Sequence, residues 1–382
     1  MAAINTKRLL DTFLDLVRIN SPSFREAEIG EYIGAMLRSL GFRTRFQRYD
    51  RSFNLISTLK GAAGSGAGLI LSAHMDTIEP TEGISYKVTK DRVMSTGKTV
   101  LGADDKAAIA QILEAVRVVR ESRMPHPDIE IVFTSAEEAG LCGARNLDFS
   151  CLKSRHALVL DSGGPVGRLV TAAPTHHTYE MTIIGRSAHA GIEPEQGISA
   201  IRVASEIVSK APDGRINSAT TANIGIISGG TATNVVPREV RLRGEVRSHD
   251  RRTLEGVKKR IFDRAKKTCS AMHARLLVSV NEEYRSFRIS RNDPFLRFVD
   301  ESHRACGIDT LHVVTGGGSD ANVFNASGIT AVNMSTGMQK VHSHEEFIMR
   351  KDLDLGAMVV VEAIAGFPAA FAGMKKSRTS TF

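Results

Sequence analysis

Two adjacent acids follow an apolar strand in "IVFTSAEEAG", residues 131 to 140, where Ile131, Val132 and Phe133 lead into Glu137 and Glu138. Neighbouring carboxylates in a partly dry place need a compensating cation or a shared proton. Other strand ends carry groups of the same kind. "GLILSAHMDT" runs an apolar strand into His74 and Asp76, which stand two apart and so face one way, letting the acid orient the imidazole. "HALVLD" ends on Asp161, and "LGADDKAAIA" sets Asp104 and Asp105 at a helix start, where acids also simply complement the helix dipole. Imidazole with several carboxylates suits zinc, cobalt or manganese better than calcium or magnesium, and the acids are too many for one tetrahedral ion. Two ions about 3.5 to 4 Å apart, sharing one bridging carboxylate, would take five ligands, the fifth being another His. His342 and His344 in "VHSHEEF" and His189 in "GRSAHAG" are available. With Glu138 ligating, Glu137 stays free to take a proton from a metal-bound water.

The elements that must hold these groups alternate. Leu9, Leu10, Phe13, Leu14 and Val17 make a helical stripe, and a second helix from about Glu26 stops at Gly41. Strands are expected at "NLISTL", "GLILSA", "DIEIVFTS" and "HALVLD", with a long Ala-rich helix after "GADDK". Continuously apolar strands are those covered by helices on both faces, so the expected fold is α/β, a mixed sheet flanked by helices. Three ligand-bearing strand ends then share the carboxyl edge, where such sheets bind ligands. From about Thr175 the pattern becomes strand, helix, strand, strand, helix, strand, the ferredoxin-like split unit. The expected organisation is residues 1–174 and 286–382 as one domain, with 175–285 inserted as an α+β domain. "GAAGSGAG", residues 61 to 68, lacks the Lys and Ser or Thr of a phosphate loop and precedes a strand, so it reads as a hairpin connection. The tail "KKSRTSTF" is expected to fray.

Composition narrows the function class. The 382 residues are 42% hydrophobic and 24% charged, ordinary for a folded protein and long enough for two domains. The first twenty residues lack the apolar segment of a secretory signal, and no run of about 18 apolar residues marks a membrane span. A cytoplasmic protein is expected. Cys142, Cys151, Cys269 and Cys306 have no C-x-x-C spacing and read as reduced thiols. The net charge of +8 is concentrated partly in residues 249 to 267, where Leu254, Val257, Ile261 and Ala265 recur at helical spacing, so that charge is the solvated face of a helix. Neither nucleic acid nor a membrane is expected as a partner.

Taken in order, "SAHMDT", "GADDKA", "TSAEEAG", "LDSGG", "GRSAHAG" and "HSHEEF" resemble the co-catalytic zinc peptidase family that includes peptidase T, carboxypeptidase G and the succinyl-diaminopimelate desuccinylases. The likeness leans toward the peptidase T branch. It implies a zinc exopeptidase-like catalytic domain with a ferredoxin-like lid that dimerises. It also implies two divalent ions, with zinc expected and cobalt or manganese as substitutes. His74 and Asp161 would hold one ion and Glu138 and His342 the other, with Asp104 bridging and His344 as the alternative to His342. Asp76 would orient His74, and the Asp104–Asp105 peptide would be cis. Glu137 would be general base and acid, generating a metal-bridging hydroxide. His189 would reach a neighbouring subunit's site and stabilise the oxyanion, Asn234 and Arg247 would bind substrate, and Gly318 in "TGGGSD" would lie in a backbone donor loop near it. The implied activity is aminopeptidase action on short peptides by a homodimer. Deacylation or carboxypeptidase action on acylated substrates, and a metal-stabilised protein without turnover, are the alternatives.

Overall fold

The structure is a computed structural model that describes residues 3–61 and 68–371. Most of the glycine-rich connection and all of the basic tail lie outside the described residues. The chain divides into two compact units, one of Met1–Thr171, Arg288–Val314 and Ser319–Phe382, the other of Ala172–Phe287 with Thr315–Gly318. The inserted unit therefore takes in the glycines of "TGGGSD", which the sequence reading kept with the catalytic part. Two local contacts explain it. The His249 ring nitrogen Nε2 donates to the Thr315 carbonyl at 2.9 Å, and a Cβ on Gly318 would stand 2.2 Å from the Tyr284 ring. Gly318 is thus glycine because an aromatic ring closes on its backbone.

The first unit is built on a nine-stranded mixed sheet. Its middle strands run in the order Ser52–Leu59, Asp128–Thr134, Gly68–His74, His156–Ser162 and Thr330–Ser335. Gly68–His74 is parallel to both of its neighbours, and His156–Ser162 is parallel to Thr330–Ser335. Every residue of Gly68–His74 is buried, as a strand covered on both faces requires. The edge strand Arg43–Tyr49 was not anticipated, because its polar "RTRFQRY" shows no apolar alternation.

Helix Ala103–Glu121 is buried along most of its length, and helices Thr6–Arg18 and Arg350–Ala370 pack against it. Arg350–Ala370 has the length and mean hydropathy (1.6) of a membrane span. The charges at Arg350, Lys351, Asp352, Asp354 and Glu362 interrupt the apolar run, and Leu353, Ala357, Val360, Ile364 and Phe367 are buried in the unit. It serves here as a core helix. A small sheet of Tyr86–Val88, Arg92–Ser95, Phe347–Met349 and Met338–Gln339 escaped the sequence reading because its strands are two to four residues long. It anchors the segment that carries His342.

The second unit is a five-stranded antiparallel sheet with two helices. Strands Thr175–Ile184, Thr220–Gly229, Glu239–Ser248 and Arg275–Tyr284, with helices Ala200–Val208 and Arg251–Ala271, give the expected ferredoxin-like order. Gly214–Asn217 adds a short hairpin strand at the edge. Helix Arg251–Ala271 starts on Asp250, which accepts from the Thr253 amide, and buries Leu254, Val257, Ile261 and Ala265 at the spacing read from the sequence. Met181, Ile183, Val240, Leu242 and Val246 complete that core.

Candidate metal centre

The strand Gly68–His74 delivers His74 to the carboxyl edge of the sheet, level with Thr134 on the neighbouring strand. Beyond Thr134 the chain turns through Ala136, whose φ of 49° is left-handed, and this reversal sets Glu137 and Glu138 beside His74. Asp161 comes from the strand on the other side of His74. Asp104 enters from the start of helix Ala103–Glu121, through a peptide to Asp105 that is cis.

His342 arrives from 204 residues beyond Glu138, and its Nε2 lies 2.8 Å from Glu138 Oε1. Its own φ of 60° is left-handed. His344 belongs to none of the clustered donor groups among the described residues.

Asp104 divides this set in two. Its Oδ1 lies 3.1 Å from His74 Nε2, which is also 3.8 Å from Asp161 Oδ1. Its Oδ2 lies 3.3 Å from His342 Nε2, the atom that meets Glu138. One carboxylate therefore offers one oxygen to His74 and Asp161 and the other to His342 and Glu138. Glu137 groups with His74 and Glu138 and belongs to neither of the pairs that Asp104 joins.

Asp76 acts differently from the sequence reading. The strand stops at His74, so the two-residue alternation does not carry through to Asp76. The nearer partner of His74 Nδ1 is the Asp76 carbonyl, at 2.9 Å, with carboxylate Oδ1 at 3.5 Å. That carboxylate instead accepts from the amides of Glu137 (2.9 Å) and Glu138 (3.2 Å) and from the Ser23 hydroxyl (2.7 Å). Asp76 thus orients the imidazole with its backbone and fixes the two-glutamate turn with its side chain.

Three further acids were not singled out as functional. Glu346 accepts from the amides of Leu101 (2.7 Å), Gly102 (2.8 Å) and Asp104 (3.0 Å), tying the His342 segment to the loop that presents Asp104. Glu26 accepts from the Ala136 amide at 2.9 Å. Asp320 accepts from the Thr134 hydroxyl, while its Oδ1, like Asp105 Oδ1, is buried with no hydrogen-bond partner among the described residues. The only prior signal for Glu346 and Asp320 was proximity to motif residues, in "HSHEEF" and "TGGGSD", and Glu26 stood only at a helix start.

So many buried acids against two imidazoles perturb one another strongly. Burial, then repulsion from neighbouring acids, holds Glu137 and Asp161 well above the ordinary carboxylate range. Burial likewise raises Asp105 strongly, Asp320 to about 6 and Glu346 to about 7. Hydrogen bonds to Asp104 and Glu138 push His342 up to about 11. Burial disfavours the His74 cation, yet hydrogen bonds to Asp104 and Asp76 outweigh it and raise that group too. Without cations, protons hold the cluster together. The donor chemistry and the unpartnered acid oxygens fit divalent ions, which would neutralise the acids and need the imidazoles deprotonated.

A pH dependence follows for metal-free protein. Raised carboxyls and raised imidazoles both leave the folded chain holding protons that the unfolded chain has released, so stability falls as pH rises. Asp320 and Glu346 contribute this fall from their ordinary 3.8 and 4.5 up to about 6 and 7, and His342 from 6.5 upward. Lys106, lowered by burial to about 7, opposes the trend above that pH, and His156, His177 and His303, each lowered by burial, oppose it up to their ordinary 6.5, against the larger set of raised acids and imidazoles. Thermal melts of chelator-treated protein should show a higher Tm at pH 5.5 than at pH 8, with the gap narrowing on metal loading. A metal-free Tm that climbs over this range would contradict the proton count.

Comparison with known proteins places the chain. Residues 171–273 match the M20 peptidase dimerisation domain, and residues 54–172 match peptidase family M28. A crystal structure of aminopeptidase PepT from Bacillus cereus is 36% identical, with a TM-score of 0.86 over 95% of this chain and 98% of that one. A tripeptidase structure from Staphylococcus aureus is 35% identical, with a TM-score of 0.90 over 96% and 99%. The uncharacterized protein YqjE of Bacillus subtilis is 37% identical over 94% of this chain and 98% of its own. The last three likenesses take in the inserted unit as well as the catalytic part. The chain belongs to the peptidase T-like M20 family, and it is a peptidase.

The other expected site residues of this M20 peptidase lie in its second unit. His189 is exposed, and its Nδ1 accepts from the Gly191 amide at 3.1 Å, which leaves a neutral ring's proton on Nε2. Asn234 is exposed and pairs with the same turn, its carbonyl accepting from the Ala190 amide at 2.9 Å. The Arg247 guanidinium is engaged by Glu245 and Tyr284. Beside Glu138, in the first unit, a cleft of about 450 Å³ is lined by Pro22, Phe24, Arg25, Thr77, Ile78 and Glu79 among others.

Proposed function

We propose that this M20 peptidase is a two-metal aminopeptidase acting on short peptides, tripeptides in particular. The observation that carries the reading is the division of Asp104, one oxygen toward His74 and Asp161 and the other toward His342 and Glu138, with Glu137 left over. Those five residues would hold two divalent ions, zinc by donor type, with cobalt or manganese as substitutes. Bound there, the ions would supply Lewis acidity toward a peptide carbonyl and toward water.

The remaining chemistry belongs to the chain's own side chains. Glu137 takes a proton from the attacking water and returns it to the departing amine, a task suited to a carboxyl that burial and neighbouring acids hold well above the ordinary range. Asp76 keeps the Glu137 turn in place through the two amides it binds. His189, reaching a neighbouring subunit's site, offers an Nε2 proton to developing negative charge on the carbonyl oxygen, Asn234 and the Gly318 loop contribute further donors, and Arg247 receives the peptide's terminal carboxylate. The cleft beside Glu138 is roomy enough for a residue of the peptide. The match to the dimerisation domain supports a homodimer formed through the inserted unit. The cytoplasm is the proposed compartment.

The names of the Bacillus cereus and Staphylococcus aureus relatives support aminopeptidase over deacylase action. Metal-loaded enzyme should cleave tripeptides with a free amino terminus at least about tenfold faster, by kcat/KM, than the same peptides acetylated, since a site shaped for a charged terminus discriminates against its loss. Preference for the acylated series would establish a deacylase instead. No turnover on either series would leave a metal-binding protein.

A further inference from the structure

In the second unit, His176, Arg247 and Tyr284 form one row across three strands. His176 on Thr175–Ile184 is the register partner of Arg247 on one side and of Tyr284 on the other. Residues paired in this way point to the same face of the sheet, as does Glu245, two before Arg247 on its strand. That face is the one turned from the two helices, because the alternate residues Tyr179, Met181, Leu242 and Val246 form the helix-covered core.

The four side chains are bonded together. Glu245 grips Arg247 from the side, Oε1 accepting from Nε at 3.0 Å and Oε2 from Nη2 at 3.1 Å. Oε2 also meets His176 Nε2 at 2.9 Å. The Tyr284 hydroxyl accepts from Arg247 Nη1 at 3.1 Å, and its ring leans on His176, centroids 5.2 Å apart. Gly318 backs onto that same tyrosine.

A guanidinium has five donors in one plane, and these contacts engage three. Among the described residues these contacts leave one N–H on each Nη uncommitted, at the end of the guanidinium that stands away from the Glu245 grip, and two donors on the paired Nη atoms match a carboxylate. A free arginine would have to freeze a long side chain to present those donors. Here the chain has frozen it already.

Resting on the reading of Arg247 given above, we propose that Glu245, itself held by His176, is a positioning residue that presets Arg247 for the peptide's terminal carboxylate. Its own negative charge would repel an incoming carboxylate if attraction alone mattered. Presetting and competition therefore predict opposite signs when Glu245 is neutralised. Glu245→Gln keeps the shape but turns one acceptor into an amide donor facing the guanidinium, so the side grip is lost.

The test compares wild type, Glu245→Gln, His176→Ala and Arg247→Met on one tripeptide in two forms, with a free and with an amidated carboxyl terminus. Glu245→Gln should raise KM for the free form about tenfold through lost preorganisation while KM for the amide and both kcat values stay within about twofold. His176→Ala should shift the same KM in the same direction by less, and serves as the second variant if Glu245→Gln misfolds by circular dichroism. If Arg247→Met leaves the ratio of free to amidated KM unchanged, the carboxylate reading of Arg247 fails and the inference falls with it. If Arg247→Met collapses that ratio but Glu245→Gln leaves it intact, or lowers KM for the free form, the presetting role alone is overturned.

Discussion

Glu137→Gln is expected to lower kcat by about 10²- to 10⁴-fold, the usual worth of a positioned general base, with little change in KM or in bound metal. Glutamine keeps the size of the side chain and removes its capacity to take a proton. The Asp76 carboxylate would still hold the amides of residues 137 and 138, so the turn that carries Glu138 should survive. The two pairs of donors meeting at Asp104 do not include Glu137, which is why metal content should persist. Steady-state kinetics on a tripeptide, with metal measured by mass spectrometry, checks both halves. Activity within tenfold of wild type would move the proton transfer to another group. Loss of metal alongside activity would make Glu137 a ligand.

Asp104→Ala is expected to abolish turnover and to reduce bound metal from two ions per chain to one or none. Both donor pairs meet through this single residue, so its removal takes a ligand from each. A bound ion stabilises the folded state by mass action, by about 4 kcal/mol at a thousandfold excess over Kd. The metal-dependent rise in Tm should therefore shrink or vanish in the variant. By contrast, a change confined to one pair, such as Asp161→Ala, leaves the other pair complete. Two ions retained in Asp104→Ala would show that the carboxylate does not bridge.

The two substitutions probe residues of unequal legibility. Glu137 and Glu138 announce themselves as a like-charged pair after an apolar strand, a local conflict that only a cation or a proton relieves. Asp104 looks by itself like a helix-start acid, and its functional reading required the other strand ends and the family likeness. What suits it to the proposed bridging is that its two oxygens face different partners, one toward residues 74 and 161 and one toward residues 138 and 342. No spacing along the chain encodes that.

The sequence by itself determined the alternating α/β elements, the placing of His74 and Asp161 at strand ends, and the ferredoxin-like order of the insertion. These depend on periodicity and capping, which act over a few residues and so are written locally. Only the tertiary structure decided that His342 and not His344 meets the acids, that Asp76 spends its carboxylate on the Glu137 turn, and that Glu346 ties its segment to the Asp104 loop. It also decided that Glu245 takes one side of Arg247. Apart from that last contact, these join residues some sixty to two hundred and forty apart in short irregular loops, where no repeating pattern exists to be read. Their geometry follows from which buried amides and acids are left needing partners once the sheet has formed.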